Sequence, residues 1–202
     1  MPNPGDAGSA IGAIASYLNQ PLEWKGPYLG TNIPGELNIR KAVASLKFGN
    51  IIGIAKGRAE FGPRALGNRS LLCDPRGADA KNKMNEVKKR QKFRPFAPAI
   101  LAEHAHEYFD MPMKETPYMQ YVMKCLKPDE FPAICHVDNS SRVQTVNDTT
   151  DNKMFRSLLE AWYKETGCPM LMNTSLNIKG EPLVNNWEDA KRFEKLHNIE
   201  VF

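Results

Sequence analysis

Short apolar runs, each about the length of one strand, are the feature that most limits how this chain can fold. Three of them lie at 51–55, 96–101 and 170–172, separated by Gly- and Pro-rich breaks and by segments with helical spacing of apolar residues. Short apolar runs bounded by turn residues are typical of buried strands. We therefore predict a mixed α/β (α+β) fold. Predicted strands lie at 51–55, 70–74, 96–101, 119–125, 142–146 and 170–172. Predicted helices lie at 7–18 (capped by Asp6), 36–48, 78–89, 103–109 and 152–166 (ended by Gly167).

The length and composition suit one sizeable core, with room for a small appendage. Of 202 residues, 42% are hydrophobic and 25% are charged. No segment approaches the roughly 20 consecutive apolar residues that span a bilayer, and the N-terminus lacks the basic-then-apolar order of a secretory signal. The four cysteines form no CxxC pair and lie in or beside apolar segments. We predict a cytoplasmic protein without a membrane segment, whose cysteines are reduced and packed in the core.

A segment rich in Pro and Gly, 20–35, divides the chain. Such residues punctuate regular structure, so the segment is a candidate linker or extended arm. We predict a domain boundary there, with 1–35 on one side and 36–202 on the other.

Positive charge is concentrated in one part of the chain. Between Lys56 and Arg94 there are 12 Lys and Arg against 4 Asp and Glu, a local excess of +8, whereas the whole chain carries +4. Everything outside that stretch is therefore net −4. Clustered cations are expected where a polyanion or a small phosphorylated ligand is held.

Two parts of this basic stretch suggest phosphate contacts. Gly and Pro interrupt 57–67, so Arg58, Arg64 and Arg69 lie on or beside a loop whose backbone N–H groups can approach an anion. Lys88 and Arg94 flank a break between a predicted helix and a predicted strand, and both can converge on one ligand. The alternative is that the cations at 88–92 form a solvated helix end that complements the helix dipole.

A polar turn, Asn173-Thr174-Ser175-Leu176-Asn177, follows the last apolar run. Ligands of α/β proteins bind at strand ends, so these amides and hydroxyls are candidate ligand contacts. Ordinary turn chemistry is the alternative, because such side chains readily satisfy nearby backbone groups. Arg142, which opens a predicted strand, is equally ambiguous.

Several classes of site are not supported by the sequence. The four histidines are isolated or, at 104 and 106, face different directions on a predicted helix, so we predict no metal site. Neither a GxSxG elbow nor a GxxxxGK[ST] loop occurs, and Ser175 has no evident His and Asp partners.

Four ordered blocks, from about 57 to 184, carry a family resemblance. They read GRAEFGPRALGNRSLLCDPR, KMNEVKKRQKFRPFAPAIL, HVDNSSRVQTV and PMLMNTSLNIKGEPLV. Together they resemble the C-terminal half of the carbamoyltransferases that modify natural products such as nodulation factors, cephamycins and aminoglycosides. This resemblance implies a YrdC/Sua5-like fold, a twisted, mostly β domain with flanking helices. PNPGDAGSAIGAI resembles the closing segment of the family's Kae1-like N-terminal domain, so 1–35 is interpreted as a remnant of that domain plus a linker.

The resemblance also implies a reaction, in which carbamoyl phosphate and ATP give carbamoyl-adenylate and the carbamoyl group passes to an acceptor hydroxyl. Mg²⁺ is expected with the nucleotide rather than from a protein cage. By motif position, the residues implied in catalysis are Lys88, Arg94, Arg142 and Ser175. Those implied in nucleotide binding are Arg64, Arg69, Asn173, Thr174 and Asn177.

Family members are much longer, and the Kae1-like domain is almost absent from this chain. We therefore expect a Kae1-like domain or separate chain as partner, and at most the adenylation half-reaction from this chain alone. The exposed surface around 7–28 makes self-association plausible. One alternative is an RNA-binding module, disfavoured because Phe61, Phe93 and Phe96 are expected in the core rather than as a stacking platform. The other is a catalytically inert interaction domain.

Overall fold

The computed structural model describes residues 8–77, 79–148 and 152–202, and contains ten strands and six helices within them. In chain order the strands are β1 (Asn32–Ile33), β2 (Ile52–Ala55), β3 (Gly57–Arg58), β4 (Arg69–Cys73), β5 (Ala97–Leu101), β6 (Phe109–Asp110), β7 (Val122–Cys125), β8 (Ser140–Arg142), β9 (Gln144–Val146) and β10 (Met170–Ser175). The helices are α1 (Ser9–Leu18), α2 (Ile39–Lys47), α3 (Ala80–Val87), α4 (Ala105–Tyr108, after a 3-10 turn), α5 (Lys153–Thr166) and α6 (Trp187–His197).

Five strands form the central sheet in the order β2-β4-β10-β5-β9. All neighbours are antiparallel except β5 and β9, which are parallel. Strand β10 lies in the middle, where Asn173 is paired with Leu72 on one side and Ala97 on the other. Every residue of β2, β4 and β5 is buried, as expected for strands whose two faces are covered. The polar residues at the end of β10 therefore lie at a rigid, central position of the sheet.

Helices α2 and α5 pack on each other, and α5 also contacts β5 and β10. Each begins at an asparagine whose side chain accepts a backbone N–H: Asn38 from Lys41 at 3.1 Å, and Asn152 from Phe155 at 3.0 Å. Such caps satisfy donors that have no partner inside the helix. Gly167 ends α5 with a φ of 70°, a conformation that glycine adopts without strain. Trp162 of α5, fully buried, donates from Nε1 to the carbonyl of Met170 at 3.1 Å, which fastens the helix to β10.

Two small sheets extend the core. Strands β6, β7 and β8 form an antiparallel sheet, and β1 pairs with β3. The second pairing ties the Pro- and Gly-rich segment to the body of the chain, and Ile33 in it is buried. Helix α1, by contrast, has no buried residue, and Ile14, Tyr17 and Leu18 are exposed on it. The predicted boundary near 35 stays a prediction.

The predicted fold class is confirmed, with corrections to individual elements. The predicted strand at 142–146 is two strands, β8 and β9, in different sheets. Strand β10 runs three residues further than predicted, and α6, β1, β3 and β6 were not predicted at all. Asp6 and Ala7 lie outside the described residues, so the cap predicted for the first helix has no structural account. All four cysteines lie within the described part, buried and without disulfides, as predicted. Among the described helices, none is long and apolar enough to cross a membrane.

Candidate functional site

A cavity of about 610 Å³ lies where the end of β10 meets the start of β5. Its walls come from five parts of the chain: 63–65 in the loop before β4, residues 90 and 93–97 between α3 and β5, residues 119 and 122 at and before the start of β7, the segment 134–142 leading through β8, and 173–175 of β10. Four arginines line it: Arg64, Arg90, Arg94 and Arg142. We call this cavity, with its four arginines, the arginine cavity.

The arginine cavity holds positive charge that the protein does not neutralise. Its described lining residues include no Asp or Glu, and none of the four arginines forms a salt bridge within the described residues. Burial, together with Arg64 and Arg94, lowers the pKa of Arg142 to about 10. Burial, together with Arg94 and Arg142, lowers the pKa of Arg90 to about 10. Cations held close to one another without a counter-charge are the electrostatic arrangement of an anion site.

A buried glutamate organises the loop that carries Arg64. Glu60 Oε1 accepts hydrogen bonds from the backbone N–H groups of Leu66 at 2.7 Å, Asn68 at 2.8 Å and Arg69 at 3.3 Å. Burial raises the pKa of this carboxyl. Gly67 in the same loop has a φ of 120°, and a Cβ there would lie 2.5 Å from the ring of Phe155. The loop therefore has one tightly specified shape, in which Arg64 stays exposed at the cavity wall.

Asn173 is buried at the base of the cavity and is also part of its wall. Its Nδ2 donates to the carbonyl of Ala65 at 3.1 Å and to Gln144 Oε1 at 2.9 Å, so it joins β10 to β9 and to the loop of Arg64. Among the described residues, Asn173 Oδ1 has no donor and Arg142 Nε has no acceptor. Within the same residues, Arg69 Nε and Glu60 Oε2, outside the cavity, are also unpaired, so the lack of a partner alone does not mark a ligand contact. Asn173 and Arg142 differ in that both line the cavity, where a ligand's donor and acceptor would satisfy them.

Lys88, which the resemblance implied in catalysis, does not line the cavity. It is instead hydrogen-bonded to Ser175, which forms part of the cavity wall. Its buried Nζ donates to the carbonyl of Ser175 at 2.7 Å and to Asn177 Oδ1 at 2.8 Å, with further contacts to Ser175 Oγ and the carbonyl of Asn177. Burial lowers the pKa of Lys88 to about 7. Ser175 Oγ in turn lies 2.7 Å from Asn177 Oδ1, to which it donates. Lys88, Ser175 and Asn177 are therefore brought together as one hydrogen-bonded unit behind the cavity wall.

The expected place of Arg69 among the ligand contacts needs correction. Its side chain is fully buried and does not line the cavity, because its two terminal nitrogens donate to five backbone carbonyl groups. These belong to Thr31, Lys56, Gly57, Asn68 and Asn185, at 2.8–3.2 Å. Asn177 also lies outside the lining, whereas Arg64, Arg94, Arg142, Asn173, Thr174 and Ser175 are all part of it.

Several residues of the arginine cavity were not predicted as site residues, among them Arg90, His136 and Phe93. Arg90 was left within an ambiguous basic helix end, and His136 was regarded as isolated; both line the cavity. Phe93 was expected in the core, but it is 65% exposed and lies in the wall beside Arg94, and Phe61 is also exposed. Only Phe96 is buried as expected. The sequence signal for this position was Phe93 itself, because an aromatic residue within a run of charged residues is not expected in the core.

Comparisons with known proteins find one matching family and several similar proteins. Residues 43–202 match the family described as Carbamoyltransferase C-terminus. The chain is 39% identical to nodulation protein NolO of Bradyrhizobium diazoefficiens over 94% of its length, which is 40% of that protein. It is 35% identical to a 3'-hydroxymethylcephem-O-carbamoyltransferase of Amycolatopsis lactamdurans, covering 93% of the chain and 39% of the relative. The chain thus spans about two fifths of the length of these relatives.

Solved structures resemble this fold at low sequence identity. Full-length HypF in its phosphate- and nucleotide-bound form matches with a TM-score of 0.59 and 20% identity, over 81% of this chain and 24% of that one. Sua5 of P. abyssi matches with a TM-score of 0.56 and 14% identity, over 86% and 49%. YciO of E. coli matches with a TM-score of 0.53 and 17% identity, over 86% and 81%. The predicted YrdC/Sua5-like fold is confirmed at this level.

Proposed function

We propose, since this chain belongs to the family of carbamoyltransferase C-terminal domains, that its arginine cavity binds carbamoyl phosphate and ATP and joins the carbamoyl group to AMP. The observation that carries the proposal is the set of four arginines without a carboxylate partner in the described part of the chain. Both ligands carry several negative charges, so each would supply the counter-charge that the described lining of the cavity does not provide.

The polar groups at the base of the cavity suit the carbamoyl group as well as the phosphates. A carbamoyl group carries an NH₂ donor beside a carbonyl acceptor, and Asn173 Oδ1 is an acceptor without a donor. The phosphoryl oxygens are acceptors, and Arg142 Nε is a donor without an acceptor. We assign Asn173, Thr174 and Ser175 to the carbamoyl end, and Arg64, Arg94 and Arg142 to the phosphates. Lys88 and Asn177 position Ser175, because both bond to it directly.

The chemistry that these residues would support is adenylation. A carbamate oxygen attacks the α-phosphorus of ATP, a new P–O bond forms, and the bond to the pyrophosphate leaving group breaks. The carbamate comes from carbamoyl phosphate, in which water breaks the bond between phosphorus and the carbamoyl oxygen and phosphate leaves. In full balance, carbamoyl phosphate, ATP and water give carbamoyl-adenylate, pyrophosphate and phosphate. Negative charge develops on the leaving pyrophosphate, and arginines fixed before the reaction stabilise it without reorganisation. The cavity offers no carboxylate among its described residues, so we expect Mg²⁺ to arrive with the phosphates of ATP.

Transfer to the acceptor hydroxyl is assigned to a partner. The curated relatives are about two and a half times as long as this chain, so more than half of their length lies outside the matched part. We propose that a Kae1-like domain, in the same or another polypeptide, binds the acceptor. The exposed apolar residues of α1 make that helix a candidate contact surface for this partner or for a second copy of the chain.

RNA binding is a second candidate, favoured by one observation. Phe93 is exposed beside Arg94, and an aromatic face next to arginines is a stacking platform for bases. Salt separates the two functions, because RNA binding through phosphates falls steeply with salt and tolerates a single substitution, whereas ATP binding depends on individual arginines.

The proposed reaction is tested by measuring pyrophosphate release from ATP and Mg²⁺ with and without carbamoyl phosphate. We expect release that requires carbamoyl phosphate, carbamoyl-adenylate detected by mass spectrometry, and loss of both in Arg94→Met. Lys89→Met, which removes a neighbouring cation that does not line the cavity, is the matched control and should keep both. Equal pyrophosphate release with and without carbamoyl phosphate would refute the assigned reaction. Binding without release would limit the chain to a ligand-binding module.

A further inference from the structure

We infer that Arg90 is a fourth anion-binding residue of the arginine cavity and that buried Asn85 is the residue that positions it. The inference rests on the proposed function, since it names additional residues for the same ligands. Neither residue was a predicted site residue.

The turn after α3 brings Arg90 back toward the helix. The helix ends at Val87, and Lys89 adopts a φ of 50°, which reverses the chain. The backbone N–H of Arg90 then donates to the carbonyl of Asn85 at 3.1 Å. A residue in this turn therefore has its backbone fixed relative to the last part of α3.

Three contacts hold the guanidinium of Arg90. Its Nε donates to Asn85 Oδ1 at 2.7 Å, and its Nη2 donates to the carbonyl of Pro95 at 3.3 Å. Its plane lies against the ring of Phe96, with the central carbon 4.1 Å from the ring centroid. In the part of the chain that the structure describes, Nη1 makes no such contact, while the residue lines the cavity. The side chain is thus held in place with donors left for a ligand.

Asn85 is the centre of this arrangement. It is fully buried and uses both ends of its amide: Oδ1 accepts from Arg90, and Nδ2 donates to the carbonyls of Lys92 at 3.2 Å and Arg94 at 3.0 Å. One side chain therefore fixes the guanidinium of Arg90 and the backbone that carries Arg94. Fixing cations before the anion arrives lowers the cost of binding it.

The electrostatic surroundings of Arg90 support the same role. Arg94 and Arg142 are close enough to disfavour its charge, and within the described residues it has no carboxylate partner. A phosphate placed among these arginines would relieve the repulsion. Arg69, by contrast, uses both of its terminal nitrogens on backbone carbonyl groups, whereas Arg90 uses only one of its two.

The role of Arg90 is tested by calorimetric titration of the full chain with ATP and Mg²⁺. Arg90→Met keeps the length and the packing on Phe96 but removes the charge, and we expect roughly a tenfold to hundredfold loss of affinity. Lys89→Met, the adjacent cation outside the cavity lining, should bind as the unmodified chain does. Equal losses in the two variants would show a general charge effect and overturn the inference.

The role of Asn85 is tested by a double-mutant cycle. If Asn85 acts through Arg90, then Asn85→Ala weakens ATP binding in the unmodified chain and much less in the Arg90→Met background. An equal loss in both backgrounds would mean a merely structural role. Asn85→Asp provides a second arm, measured on folded protein as judged by circular dichroism: its carboxylate would neutralise Arg90, and its second oxygen would no longer donate to the carbonyls of Lys92 and Arg94, so ATP binding should weaken. Unchanged affinity in Asn85→Asp would contradict the inference.

The failure of this inference can be told from the failure of the proposed function. ATP binding that persists in Arg90→Met and is lost in Arg142→Met would remove Arg90 from the site and leave the proposed function standing. A chain that binds neither ATP nor carbamoyl phosphate would overturn both.

Discussion

Arg69 and Arg142 show how one residue type serves two different purposes in neighbouring regions of this molecule. Arg69 is 0% exposed and donates to five backbone carbonyl groups. Arg142 lines a cavity, faces Arg64 and Arg94, and its side chain forms no hydrogen bond among the described residues. In this part of the chain Nε has no acceptor in either arginine, so the difference between them lies in the terminal nitrogens. The comparison teaches that the use of an arginine's donors, rather than its place in a basic run, separates a structural cation from a ligand-binding one.

The largest expected effect is a loss of stability on replacing Arg69, the structural arginine of the two. Arg69→Met would leave several buried carbonyls without donors, and we expect the free energy of unfolding to fall by about 3 kcal/mol. Urea denaturation measures it. The same variant, where folded, should bind ATP with nearly unchanged affinity. A variant as stable as the unmodified chain that no longer binds ATP would place Arg69 in the site after all.

The next largest effect is a loss of ATP affinity on replacing Arg142, the ligand-binding arginine of the two. Arg142→Met should weaken ATP binding roughly tenfold to hundredfold, because a charged hydrogen-bonding partner of the phosphates is lost. Its free energy of unfolding should be unchanged or higher, since the substitution relieves repulsion from Arg64 and Arg94. Calorimetry and urea denaturation on the same sample test both halves. A marked loss of stability would contradict the account of Arg142 as an unneutralised cation.

The loop that joins the two regions should respond to pH through Glu60. Burial raises the pKa of Glu60 above its ordinary value of 4.5, so the folded chain holds this proton more tightly than the unfolded chain. The contribution to stability is therefore present below pH 4.5 and is lost as the pH rises through the raised pKa. Glu60→Gln does not titrate, so its free energy of unfolding relative to the unmodified chain should rise across that window. A constant difference across the same window would show that the pKa is not raised.

The smallest effect sharpens the comparison by removing a cation that belongs to neither region. Lys89 is exposed and lies outside the cavity lining. For Lys89→Met we expect a change of about 0.5 kcal/mol or less in the free energy of unfolding and about twofold or less in ATP affinity, because an exposed charge is screened by salt. A larger loss of affinity would mean that the whole basic stretch, rather than four arginines, attracts the ligand.

Elements set by local sequence were predicted well, and elements set by distant contacts were not. Helix α5 follows from its apolar spacing and from Asn152 and Gly167 at its ends, all within one segment. The division of 142–146 into two strands depends on pairing with β7 on one side and β5 on the other, which the local sequence does not specify. Helix α6 could have been found, because Asn186 and Asp189 form a capping box at its start.

The site shows the same limit. Arg64, Arg94 and Arg142 could be chosen from motif position, and all three line the cavity. The fate of Arg69 is decided by carbonyls of Thr31 and Asn185, which lie 38 and 116 residues away in the sequence. Its structural role was therefore invisible to any reading of the basic run alone. Arg90 was ambiguous for a related reason: the amide of Asn85 that holds it is recognisable only once the turn after α3 is known.

The most direct test of the central claim is a calorimetric titration of the chain with ATP and Mg²⁺, repeated with carbamoyl phosphate present and repeated on Arg142→Met. The account predicts saturable ATP binding whose affinity changes when carbamoyl phosphate is present, and loss of that binding in the variant. Absence of saturable binding to the unmodified chain, or equal binding by Arg142→Met, would contradict the claim that the arginine cavity holds the phosphates of both ligands.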